Sequence, residues 1–179
     1  MAGVRRIFVG ASGSPDNLPA LRYAAGLAGQ EAATLIPVHA WVPPGGESAN
    51  RRHPSPILRA AWKDAAWQRL WQALDAAWGG LPPGLSVEPQ ALRGEAGPVL
   101  TTIADQPGDL LVVGTGRRGA VRHLLWCRVS RYCLAHASCP IVAVPPTALS
   151  RDSRRGLRGW RNRHRALAFD QAALTPRNY

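Results

Sequence analysis

The sequence predicts an α/β fold, a doubly wound five-stranded parallel sheet with helices on both faces. Three observations carry this. Short apolar runs alternate with longer stretches of helical period along residues 6–145. Two of the runs, Leu110–Val113 and Ile141–Val144, are continuous rather than alternating, as strands covered on both faces require. Between them the glycines Gly114, Gly116 and Gly119 open a segment of helical period. Strand, glycine loop, helix and strand make one crossover unit, and its right-handed closure puts the loop at the carboxyl edge of the sheet.

Taken in order, Arg6–Ala11 reads as the first strand and Ser12-Gly13-Ser14-Pro15 as its exit loop. Asp16 is placed to cap a helix over Asn17–Gln30, whose inner side carries Leu18, Leu21, Ala25 and Ala28. Thr34–Trp41 is the second strand. Residues 43–56, opened by Pro43-Pro44-Gly45-Gly46, hold too many breakers for regular structure and read as a mobile loop over the carboxyl edge. Pro56–Trp78 is the longest helix. Trp67, Trp71, Leu74 and Trp78 share a stripe on it, which reads as core packing rather than an aromatic ligand box. Leu85–Leu92 alternates and is the third strand, and Gly97-Pro98 opens a short helix reaching about Asp105. The last helix runs from about Val121 to Ala137, with Val129, Tyr132 and Cys133 on its apolar side, and Cys139-Pro140 ends it.

After Pro145-Pro146 the composition shifts. Residues 1–146 read as the folded domain and 147–179 as a basic, disordered tail. The chain carries a net charge of +11, of which residues 151–179 supply +6 through eight Arg against two Asp. Such a tail attracts nucleic acid weakly and without sequence preference. No apolar stretch approaches the length of a membrane span, so no membrane partner is expected. Three cysteines and no signal-peptide pattern point to the cytoplasm.

The loop spells G-x-G-x-x-G, the dinucleotide fingerprint, but its context does not fit. That motif needs an acidic residue about 20 positions on for the ribose hydroxyls, and no Asp or Glu lies between Asp109 and Asp152. It also belongs in the first strand–helix turn, whereas this loop follows the fourth strand. No hydrolytic machinery is legible either. Ser12 and Ser14 lack a nucleophile elbow and read as turn formers. His123 and Cys127 are four apart, half of a zinc-ligand set with no matching second pair, so no metal is expected. The best signal is cationic. Arg117, Arg118, Arg122, Arg128 and Arg131 follow one another without an acid, and a helix N-terminus favours an anion. His39, ending the second strand, faces the same edge as Ser12 and Gly114 and reads as a hydrogen-bonded, partly buried histidine able to meet a base or ribose.

The segments IFVGASGSPDNLPALRYAAGLA…ATLIPVHAW and LLVVGTGRRG…VSRYCLAHASCPIVAVP resemble the first strand–helix–strand unit and the C-terminal half of a universal stress protein domain. The resemblance covers about Arg5–Pro145. It implies the Rossmann-like, adenine nucleotide alpha hydrolase-like fold and a non-catalytic stress-response module that forms a homodimer through the last strand, Ile141–Val144. It also implies ATP as candidate ligand, held by a strand-end glycine, a glycine three residues later and a Gly-Ser pair beyond. Gly114 fills the first position, Arg117 replaces the second, and Cys127-Arg128 replaces the pair, followed by matching Val129 and Ser130. Ser12 stands where an acid is usual. With Gly116 and Gly119 partly restoring the loop, the implied nucleotide site is Ser12, His39, Gly114, Gly116, Arg117, Gly119, Arg128, Val129 and Ser130, binding adenine nucleotide weakly or not at all. The alternatives are an ATP-binding sensor of the same family and a nucleic-acid-associated protein working through its arginine-rich tail.

Overall fold

The computed structural model describes residues 3–115 and 128–146. Its strands are β1 (Arg6–Gly10), β2 (Thr34–Trp41), β3 (Gln90–Arg93), β4 (Asp109–Gly114) and β5 (Ile141–Val144). All pair in parallel, in the order β3-β2-β1-β4-β5. The helices are α1 (Leu18–Glu31), α2 (Gly46–Arg52), α3 (Pro56–Trp78), α4 (Ala96–Ile103) and α5 (Arg128–His136).

The period-2 alternation of each strand divides the core in two. Ile7, Val9, Leu35, Leu110 and Val112 face α1 and α3, where Leu21, Ala24, Leu70 and Leu74 are buried against them. Phe8, Ile36, Val38, Leu111 and Val113 face the other way, toward Leu100 of α4 and Cys133 of α5. Helices cover the centre of the sheet on both faces, which is why Leu110–Val113 of β4 are continuously apolar rather than alternating. The doubly wound prediction holds.

Four local expectations are corrected. Residues 43–56 are not irregular, because α2 lies within them. Glu47 in its first turn and Arg51 and Arg52 in its last complement the helix dipole, a signal that the flanking Pro and Gly obscure. The third strand is shorter than Leu85–Leu92. Pro89 has no N–H to donate, so Val87 makes only an isolated bridge to Leu35 and the ladder resumes at Gln90. The α1 N-cap is Asn17 rather than Asp16, which sits inside a 3-10 turn, Pro15–Asn17. Finally, the buried line of α3 is Ala66, Leu70, Ala73, Leu74 and Ala77. Those alanines let the helix lie close to the sheet, so Trp71 is left exposed and Trp67 and Trp78 pack at the margin of the core.

At the amino edge Arg6 forks onto Asp109 with bonds of 2.8 and 2.7 Å, tying β1 to β4. At the carboxyl edge Arg93 forks onto Glu47 at 2.8 and 2.6 Å and lies over the Trp41 ring, fastening α2 to the ends of β2 and β3.

Candidate functional site

β1 and β4 are neighbours whose chains leave the sheet in opposite directions, so a crevice opens beyond Gly10 and Gly114. A cleft of about 260 Å³ occupies it, walled by the β1 exit loop, the end of β2, the start of α4 and the start of α5. This is the usual ligand position in an open parallel sheet.

Five of the expected site residues meet there: Ser12, His39, Gly114, Val129 and Ser130. Ser12 is exposed in the exit loop, its Oγ 3.3 Å from that of Ser14. His39 is buried at the end of β2, with Nδ1 2.7 Å from the Ala11 carbonyl. Ser130 is buried and donates to the Gly114 carbonyl at 2.8 Å. Arg128 is exposed, and it is absent from the described lining. Gly116, Arg117 and Gly119 lie outside the described residues, as do His123 and Cys127.

Two wall residues carry no signal of this role in the sequence. Asn17 donates through Nδ2 to the Gly10 carbonyl, and its Oδ1 lies 3.0 Å from where a side chain at Gly114 would begin. A Cβ at Gly114 would therefore press on the Asn17 carboxamide, which would have to give way by a few tenths of an ångström. Asp16, buried, is the other. Its place in a 3-10 turn right after the exit loop turns it into the crevice wall, whereas its spacing alone suits a helix cap. Among the described lining residues Asp16 is the one acid, and none is Lys or Arg. No group of three or more His, Cys, Asp or Glu among the described residues could hold a metal ion, nor is any described helix long and apolar enough to cross a membrane.

The chain has recognisable relatives. No curated protein matches it in sequence. Among solved structures it is similar to a universal stress protein in complex with cAMP, at 24% identity and a TM-score of 0.53, covering 82% of this chain and 100% of that one. It is also similar to universal stress protein UspA from Lactobacillus plantarum, at 18% identity and a TM-score of 0.58 over 80% and 99% of the two chains. The hypothetical protein MJ0577 superposes with a TM-score of 0.63 at 15% identity, over 82% and 99%. At these identities the likenesses establish the fold, the Rossmann-like arrangement of the universal stress proteins. The universal stress protein family model matches residues 3–145, and the chain belongs to that family.

Proposed function

We propose that this protein is a non-catalytic universal stress protein module whose crevice takes an adenine nucleotide weakly. The observation that carries this is the convergence of Gly114, Val129, Ser130 and His39 on one cleft at the switch point. A universal stress protein of similar fold was solved with cAMP, which supports an adenine nucleotide as the class of ligand. The weakness follows from the wall. Ser130 spends its proton on the Gly114 carbonyl and has only lone pairs left for a ligand. The described wall brings a carboxyl and no cation toward a phosphate. Arg117 and Arg128 are the residues we assign to the phosphates, with Gly116 and Gly119 giving the loop its reach.

Calorimetry with AMP, cAMP and ATP, with and without magnesium, tests this. We expect dissociation constants in or above the range of about 0.1 mM, for which the binding free energy is only ~5 kcal/mol, and a further loss with Arg117→Ala. Tight magnesium-dependent ATP binding indifferent to Arg117→Ala would make the protein an ATP-binding sensor. Release of ADP on prolonged incubation would make it an enzyme.

We further propose that the protein pairs through Ile141–Val144. Among the described residues β5 has a strand partner on one side, β4, and its residues are half-buried or exposed, which supports pairing along the other edge. A dimer mass in light scattering is expected. To residues 147–179 we assign loose polyanion binding through their +6 charge. Removing them should abolish any low-salt shift of nucleic acid and leave the melting temperature unchanged.

A further inference from the structure

The corner between α2 and α3 stands clear of the fold. No residue between Asn50 and Ala66 is buried, and Pro56–Ala61 are all exposed. Six consecutive helical residues cover more than one full turn, so this end of α3 presents every side to solvent instead of lying on the sheet. Such an end is normally polar. Here Ile57 is 82% exposed and Leu58 50%.

The charge around this tip has one sign. Arg51, Arg52, Arg59 and Lys63 flank it in sequence, all exposed, and no acid occurs between Glu47 and Asp64. Glu47 is already engaged by Arg93. Its carboxyl is held below the usual range, first by that hydrogen bond and further by the charges of Arg93, Arg51 and Arg59.

We propose that this corner is a docking surface for an anionic phospholipid membrane, with Ile57 and Leu58 entering the acyl boundary and the four cations resting among the headgroups. That no described helix is long and apolar enough to span bears on crossing a bilayer, not on resting against one. A bilayer needs no shaped groove to receive a convex tip, only an apolar layer beneath an anionic one, and that is the layering of this corner. Reversible surface attachment takes two weak signals together, apolar insertion and a basic patch. Each Lys or Arg near an anionic leaflet raises partition about fivefold. A nucleic acid would use the cations but gain nothing from two exposed aliphatic side chains, since bases stack on aromatic rings.

The test uses the full chain and co-sedimentation with vesicles of phosphatidylcholine alone, or containing about one-third phosphatidylserine. Binding to the anionic vesicles and not to the neutral ones is expected. The double variant Ile57→Ser/Leu58→Ser should lower partition about tenfold, and Arg51→Gln/Arg52→Gln about 25-fold, fivefold for each charge removed. All four residues are exposed, so unchanged melting temperatures should accompany both losses. Residues 147–179 are intact in every protein, so vesicle binding driven by them alone would be equal in all and would overturn the proposal. So would absence of binding by the parent chain, or equal binding to neutral vesicles. If the serine variant loses a single-stranded oligonucleotide while keeping the vesicles, the surface belongs to nucleic acid and the proposal falls.

Discussion

The Ser130 hydroxyl donates to the Gly114 carbonyl at 2.8 Å, so α5 is fastened to the last residue of β4. Both residues line the crevice. Replacing Ser130 with Ala leaves the carbonyl without this donor and should cost about 1–2 kcal/mol. Thermal unfolding should show a drop of several degrees, and adenine nucleotide affinity should fall with it. An unchanged melting temperature would mean that the bond carries no stability.

Gly97 and Tyr132 set the approach of α4 to α5. A Cβ at Gly97 would lie 2.8 Å from Tyr132 Cγ and Cδ1. That is deeper than packing tolerates, so Gly97→Ala should destabilise by about 1–3 kcal/mol. Tyr132 is partly exposed and stacks on His136, with ring centroids 4.1 Å apart. In the background of Tyr132→Ala, Gly97→Ala should cost far less. Additive losses in denaturant titration would place the strain elsewhere.

The Arg6–Asp109 pair predicts an acid limb. Burial by itself would raise the Asp109 carboxyl, but the fork from Arg6 and the Gln106 N–H outweigh it and hold the group below the usual carboxylate range. The folded protein therefore binds this proton less readily than the unfolded chain. The stabilisation is complete above the unfolded value near about 3.9 and is lost as pH falls through the folded one. Asp109→Asn should flatten that part of a stability–pH curve. Arg6→Ala should cost about 2 kcal/mol at neutral pH, less than a fully dry pair because the Arg6 side chain is 32% exposed. A curve for Asp109→Asn that still falls as steeply below pH 4 would assign the limb to other carboxyls.

Cys133 should be chemically silent in the folded protein. Burial, with Cys139 adding to it, pushes its thiol up to about 11. At about pH 8 roughly one molecule in a thousand carries the thiolate, and the sulfur is closed off from reagents besides. Iodoacetamide followed by peptide mapping should label Cys133 only after unfolding. Rapid native labelling would show that the α4–α5 side of the core opens readily.

The sheet was the most legible part of the molecule. Thr34–Trp41 and Ile141–Val144 appear with the predicted bounds, because a run of apolar residues between breakers has few other ways to be buried. The tryptophans of α3 misled for the opposite reason. Size drew the stripe toward Trp67, Trp71 and Trp78, whereas close approach to the sheet selected alanines. The site was legible only in part. Gly114, Val129 and Ser130 were marked by family spacing and His39 by its place at a strand end. Asn17 and Asp16 were not, since their role depends on a 3-10 turn aiming them across a crevice between strands distant in sequence.

The contact between His39 and Ala11 fixes which ring nitrogen carries hydrogen. A backbone carbonyl can only accept, so Nδ1 must be the protonated position and Nε2 is left with its lone pair in the neutral ring. His39 is thereby a single-tautomer side chain that offers an acceptor at Nε2. That lone pair suits a hydroxyl or amine and repels a bare oxyanion.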